Sequence, residues 1–229
     1  MFKSTSFSGN NISVSTNIII INLLIWVACL ILPGKGIDLQ KILGLHFVTA
    51  SDFKLYQLIT YMFVHATPSP AHIFFNMFAV FMFGRVIEQT WGPSRFLTFY
   101  LITGIGAGII QELAWWYELR DVVSSSSEIV NLGGASIVSK ATFLNFFVTI
   151  GASGAVFGIL LAFGMLYPNV PLYIMFIPIP VKAKYVVIGY GIIELVSGVA
   201  NFSGDNVAHF AHLGGMLFGF ILIKFWQRR

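Results

Sequence analysis

Gly151-Ala152-Ser153-Gly154-Ala155-Val156-Phe157-Gly158 is a run of small residues around one hydroxyl, at the start of an apolar segment that continues to about Tyr167. Gly151, Ala152, Gly154 and Ala155 leave Ser153 without bulky sequence neighbours. Gly154 and Gly158 form a small-xxx-small face that admits a second helix at close range. Taken alone, the octapeptide reads first as a packing serine in a membrane helix. The G-x-S-x-G elbow of soluble hydrolases does not apply, because Ala155 stands where its last glycine belongs.

The surroundings of this run are those of a membrane protein. Of 229 residues, 57% are hydrophobic and only 10% charged, against roughly a quarter charged in soluble domains. The net charge of +4 is not gathered into a basic run or interleaved with aromatics, so a nucleic-acid partner is not expected. The single cysteine, Cys29, excludes an internal disulfide and a CxxC site. Its place within an apolar run marks it as a packing residue, and Val27-Ala28-Cys29 is a poor lipoprotein box because the apolar run continues past it.

Outward from Ser153, the chain divides into six apolar segments: Ile12 to Leu32, Ala71 to about Ile87, Phe96 to about Trp115, Ile150 to Tyr167, Tyr185 to Ala200, and Val207 to Trp226. The first has about twenty-one residues, enough at about 1.5 Å rise per residue to cross a hydrocarbon core of about 30 Å. It reads as a retained span and not a cleaved leader. None of the eight prolines falls inside the six segments, as expected if these are helices, where an interior proline costs about 3 kcal/mol. Residues 1–11 are polar and read as a short cytoplasmic terminus, with 12–229 as a single membrane domain. Lys35 to Pro70 reads as one large loop of interfacial pieces. Glu118 to Thr149 reads as loop, with Phe143 to Val148 apolar enough to dip into the membrane.

Basic residues orient the spans. With the amino terminus inside, Lys3, Arg85, Arg95, Lys182, Lys184, Lys224, Arg228 and Arg229 share the inner side with Glu88 alone. Outside, Lys35, Lys41, Lys54, Arg120 and Lys140 are outnumbered by Asp38, Asp52, Glu118, Asp121, Glu128 and Asp205. Lysine and arginine collect on the cytoplasmic side, so both termini are expected there and Ser153 near the opposite surface. A short amino terminus without a transit signature points to a bacterial cytoplasmic membrane.

Polar groups inside spans invite partners. His72 and Asn76 lie four residues apart on one face of the second segment. In the sixth, Ala211, Gly215 and Gly219 make a small stripe beside His212, matching that of Gly154 and Gly158. Two helices packed through these stripes would bring His212 to Ser153. A histidine in reach of a hydroxyl can take its proton during attack and return it to a leaving amine. Asn76, His72 and the Ser153 backbone N–H are candidate donors to the resulting oxyanion. His209 shares roughly one helical face with His212. Only the latter heads an unbroken small-residue ridge, whereas Met216 would interrupt a ridge counted from His209.

The motifs follow one another as Gln57-Leu-Ile-Thr-Tyr-Met-Phe-Val-His65, His72-x-x-x-Asn76, Gly84-x-x-x-Glu88-x-x-Trp91-Gly92, Arg95-Phe-Leu with Phe99-Tyr100, Gly151-x-Ser153-Gly154, and Ala211-His212-Leu213-x-Gly215-x-x-x-Gly219. In this order, from about Tyr56 to Phe225, the chain resembles the rhomboid intramembrane serine proteases. The resemblance implies an all-α, polytopic six-transmembrane-helix bundle with an outward-opening water-filled cavity. It implies Ser153 as nucleophile, His212 as general base and acid, and His72 with Asn76 as oxyanion donors. The partners it implies are transmembrane protein substrates entering laterally from the lipid bilayer. Two departures stand out. The family's histidine five residues before the His72 position is absent, His65 lying seven before, and Tyr56-Gln57 replaces the Trp-Arg pair of many first loops.

No cofactor or metal is expected. A zinc site from His65, His72 and His212 lacks any recognised ligand spacing, with Glu112 the only acid near the outer end of a span in that reading. A non-catalytic relative that binds membrane clients is the alternative function, and such relatives typically lack the serine or the histidine. Glu88, Trp91 and Arg95 read as anchors of a cytoplasmic turn. Glu194, in the fifth segment, has no partner evident in sequence, and a hydrogen-bonded, protonated carboxyl is the default expectation for it.

Overall fold

The computed structural model describes residues 13–133, 136–173, 179–200 and 207–228, so the expected cytoplasmic terminus at 1–11 lies outside the described residues. Helix α1, Val14–Ile31, starts at Ser13, whose side chain accepts the Thr16 N–H. Its first turn is held from elsewhere in the chain. Glu88 accepts the backbone N–H groups of Val14 and Ser15 at 2.8 and 2.9 Å and the Ser15 hydroxyl at 2.7 Å. A carboxylate on the unsatisfied N–H groups of a helix start is favourable both as hydrogen bond and as counter-charge. Glu88, expected from the sequence to anchor a cytoplasmic turn, is bonded instead to the start of the first helix.

A 3₁₀ turn, Leu32–Lys35, ends this helix at Gly36. The following loop is built of short pieces: α2, Leu39–Leu43; β1, Leu45–His46; and α3, Gln57–Thr60. Gln57, nearly fully buried, ties them together by accepting from Lys54 N and donating to the carbonyls of Ile42 and Asp52.

Next comes α4, Pro70–Ala79, which passes through a π turn at Val80–Gly84 into α5, Arg85–Trp91. Helix α6, Pro93–Ser124, runs 32 residues, well past the Trp115 expected as its end. The apolar stretch stops there, but Glu118, Leu119 and Arg120 are good helix formers and the helix continues as a polar extension. The segment read as loop is therefore helical to Ser124. It then forms a hairpin of β2, Ile129–Asn131, and β3, Ile137–Ser139, followed by α7, Lys140–Leu144, and β4, Val148–Thr149. Phe143, Leu144 and Phe147 pack with Phe47, Trp115 and Leu119 in a small cluster of their own. Strand β4 pairs antiparallel with β1, joining the two large loops.

Helix α8, Ser153–Leu166, has 14 residues. It begins at Ser153 and not at Ile150, because β pairing holds residues 148–149 and Gly151 adopts φ +127°, outside helical space. The pair β5, Pro171–Leu172, and β6, Val181–Lys182, leads to α9, Ala183–Ala200, and α10, His209–Gln227.

Among the described residues five helical stretches are long and apolar enough to cross a membrane: Val14–Lys35, Pro70–Trp91, Pro93–Ser124, Ala183–Ala200 and His209–Gln227. The sixth, α8, is shorter and central. Here α6, α8 and α10 meet through small residues. A Cβ added at Gly154 would overlap Ala107 of α6, one at Gly158 would lie 2.8 Å from Thr103 Cβ of α6 and 3.1 Å from Gly215 O of α10, and one at Gly214 would lie 3.0 Å from Ala107 Cα. The two small stripes do face each other. Composition gave no sign that α6 is the third party.

Candidate functional site

The close approach of α8 and α10 sets the site. Ser153, the first residue of α8, and His212, in the first turn of α10, point into the same gap, and Ser153 Oγ lies 2.7 Å from His212 Nε2. His212 is 7% exposed. Its ring lies parallel to that of Phe157, with centroids 4.3 Å apart and planes 8° off. Phe157 is one helical turn beyond Ser153, so the same face of α8 offers the hydroxyl and the surface on which the imidazole rests. That i, i+4 spacing is the signal by which Phe157 could have been noticed in the sequence.

Opposite His212, the loop before α8 is shaped around His72. A Cβ at Gly151 would lie 2.7 Å from His72 Nε2 and 3.8 Å from Ser153 Oγ. Only glycine fits, given both that crowding and the positive φ. The Gly151 N–H is fixed on Tyr61 O at 2.9 Å. Asn76 is buried on the same helix as His72, with one amide hydrogen turned back onto the His72 carbonyl at 2.9 Å. The amide's second hydrogen is not used by that bond.

His65, despite its longer separation from His72, packs against it, with ring centroids 5.0 Å apart. It is fully buried, and its Nε2 accepts the Ala152 N–H at 3.4 Å. Burial, reinforced by the neighbouring His72 ring, pushes its ionisation down to about 3, so it stays neutral and able to accept. Its position is that of a brace under the loop that carries Ser153.

His209 does not meet the serine. Its ring sits 6.3 Å from that of His212, and its Nδ1 lies 2.6 Å from Glu194 Oε2 of α9. The same oxygen lies 2.9 Å from Nδ1 of His212. Glu194, His209 and His212 are also the group, among the described residues, whose possible ligand atoms all lie within 4.8 Å of one another. The residues weighed for zinc from sequence do not gather in this way. Glu112 instead accepts the Val48 N–H at 2.8 Å. A cavity of about 320 Å³ adjoins His209, between Gln111 and Trp115 of α6, Thr149, and Ser197 of α9.

A polytopic helical bundle that sets a half-buried serine hydroxyl against a buried imidazole between two glycine-faced helices defines a class of membrane-embedded protein. The chain belongs to the rhomboid family, since residues 52–229 match the Rhomboid domain. It is 28% identical over 202 residues to the RHOMBOID-like protein 12, mitochondrial, of Arabidopsis thaliana, covering 86% of this chain and 55% of that one. It is 27% identical over 165 residues to the rhomboid protease AarA of Providencia stuartii, covering 66% and 49%. With the rhomboid protein 1, mitochondrial, of Saccharomyces cerevisiae, the identity is 27% over 154 residues, covering 65% and 36%. The chain spans about half the length of most of the curated relatives it matches.

Proposed function

We propose that this protein is an intramembrane serine endopeptidase that hydrolyses peptide bonds in or near the transmembrane segments of other membrane proteins. The reading rests on the 2.7 Å contact between Ser153 Oγ and His212 Nε2, in a chain of the rhomboid family. As the Oγ–C bond to the scissile carbonyl forms, the hydroxyl proton passes to Nε2 and the carbonyl oxygen takes the negative charge. His72, Asn76 and the backbone N–H at the start of α8 are the donors assigned to that oxygen. The C–N bond then breaks with return of the proton to the amine. Water, deprotonated by the same nitrogen, releases the acyl group from Ser153. No metal or cofactor enters this scheme.

The test is cleavage of a single-span substrate by the purified protein, with the product termini mapped by mass spectrometry and Ser153 probed with a fluorophosphonate. A client-binding protein without catalysis would leave the substrate whole and Ser153 unlabelled. Asn76→Ala is expected to lower kcat by about 10² to 10³-fold with little change in KM, because an oxyanion donor acts only around the transition state. A change confined to KM would assign Asn76 to substrate docking.

The orientation proposed places both termini in the cytoplasm, in a bacterial cytoplasmic membrane, with Ser153 nearer the external face. In a Cys29→Ser background, Ser125→Cys should react with an impermeant maleimide on intact cells and Gln227→Cys only after permeabilisation. The reverse pattern would invert the protein.

A further inference from the structure

Glu194 stands on α9, among residues that are otherwise largely apolar and exposed, yet it is itself only 7% exposed. An ionisable group within a membrane span is costly unless something pairs with it. Here one carboxyl oxygen meets two histidines of α10, His209 at 2.6 Å and His212 at 2.9 Å, in both cases at Nδ1. The second of these rings is the one whose other nitrogen faces Ser153. Hydroxyl, imidazole and carboxylate therefore stand in contact one after the other, running from α8 through α10 to α9.

Phe157 alone cannot complete this arrangement. Stacking fixes the plane of the His212 ring, but it does not distinguish the two nitrogens or decide which carries the hydrogen. With two imidazoles on one oxygen, the carboxyl is read as ionised and not protonated as its place in a span suggests. A carboxylate only accepts hydrogen bonds, so the nitrogen facing it must bring the N–H. That leaves the lone pair on Nε2, towards the Ser153 hydroxyl, as a general base requires. At 2.9 Å the two atoms are in contact, without the alignment of a straight hydrogen bond.

We propose that Glu194 is a positioning residue of the active site, setting the His212 tautomer and facing the imidazolium when His212 holds the serine proton, with His209 as the second donor that anchors the carboxylate. This deepens, and rests on, the protease reading above. The proton on Nδ1 stays with His212 throughout and is not passed to Glu194, while the proton taken from Ser153 enters and leaves through Nε2.

A metal held by the same three side chains is the competing arrangement. Tetrahedral ligands at about 2.0–2.2 Å from an ion stand about 3.3–3.6 Å from one another. The observed 2.6 and 2.9 Å separations are shorter and match direct nitrogen–oxygen contact.

The experiment compares the full-length protein with Glu194→Gln, Glu194→Asp and Ser153→Ala, reading kcat and KM on a single-span substrate and the rate of fluorophosphonate labelling at Ser153. Glu194→Gln keeps the shape and removes the charge. It is expected to lose about 10²-fold or more in kcat and to slow labelling in parallel, with KM nearly unchanged. Glu194→Asp should recover at least about tenfold over Glu194→Gln, a rescue that a purely packing role would not give. If Glu194→Gln elutes as an aggregate, Glu194→Asp against the parent carries the test through its kcat-only loss. Wild-type kcat and labelling in Glu194→Gln, or in Glu194→Asp where that is the variant that folds, would overturn the assignment, as would activity lost to a chelator and restored by zinc. A parent protein that neither cleaves nor labels would defeat the protease reading and this assignment together, whereas a competent parent with an equally competent Glu194→Gln defeats only the latter.

Discussion

Ser153→Ala and His212→Ala are each expected to lose cleavage by a factor on the order of 10⁵ to 10⁶, whereas His209→Ala retains activity within about tenfold of the parent. The size of the first two losses follows from their acting as one unit. Without Oγ no acyl-enzyme forms, and without Nε2 at 2.7 Å the hydroxyl keeps its proton at neutral pH and is a weak nucleophile. The double variant should therefore be little worse than either single one. Both changes are sterically mild. Alanine in place of Ser153 fits the small-residue surroundings of Gly151, Ala152 and Gly154, so the variant should remain folded and capture uncleaved substrate. His212→Ala leaves a gap over Phe157, and its labelling by fluorophosphonate should vanish with its turnover. His209 lies one ring away from the hydroxyl and touches Glu194, which is why its loss is felt indirectly. Equal loss in His209→Ala and His212→Ala, or loss in His209→Ala alone, would place the base one helical turn from where the contacts put it.

The fold was legible to the extent that it is written in long apolar runs and small-residue spacing. The segments ending at Leu32, Ala200 and Trp226 correspond to helices ending within one residue of those limits. The stripe of Ala211, Gly215 and Gly219 faces Gly154 and Gly158 because glycine spacing on two helices is a direct statement about how near their backbones can come. What hydropathy could not reveal was the polar end of α6, since Glu118 to Ser124 looks like loop to any measure that counts only apolar side chains. The apolar run begins three residues before α8 for a related reason, as Ile150 extends the run while Gly151 leaves helical space. At the site, Ser153, His212, His72 and Asn76 announced themselves as polar residues in apolar surroundings. Glu194 did so too, but its partners lie fifteen and eighteen residues away on another helix. Only the rotation of α9 against α10 reveals them. His65 is hidden for the opposite reason, a departure in spacing that Pro68 and Ser69, just ahead of α4, absorb.

Gly215→Ala should disable the protein as thoroughly as a change outside the reacting groups can, although it adds a single methyl. The Cβ would overlap the carbonyl oxygen of Gly154, with that residue's carbonyl carbon at 2.7 Å and Cα at 3.3 Å. All three are backbone atoms, so no side-chain rotation relieves the contact, and α8 and α10 must separate by about 1 Å or more to restore ordinary packing. Gly215 is three residues beyond His212, on the same side of α10, and Gly154 directly follows Ser153. The separation therefore falls on the pair that has to stay within hydrogen-bond reach. A misplacement of about 1 Å in a reacting geometry costs about 10²-fold, and overpacking a close interface costs typically about 1–3 kcal/mol of stability. Fluorophosphonate labelling of Ser153 should fall by at least that 10²-fold, together with a lower unfolding midpoint in detergent. The matched control is Gly189→Ala on α9, where an added Cβ meets nothing within 4 Å. There the usual gain of roughly 0.5–1 kcal/mol for alanine over glycine in a helix should appear, with activity kept. If Gly215→Ala behaved like this control, α8 and α10 would not be packed backbone to backbone, and the Ser153–His212 contact would need another cause.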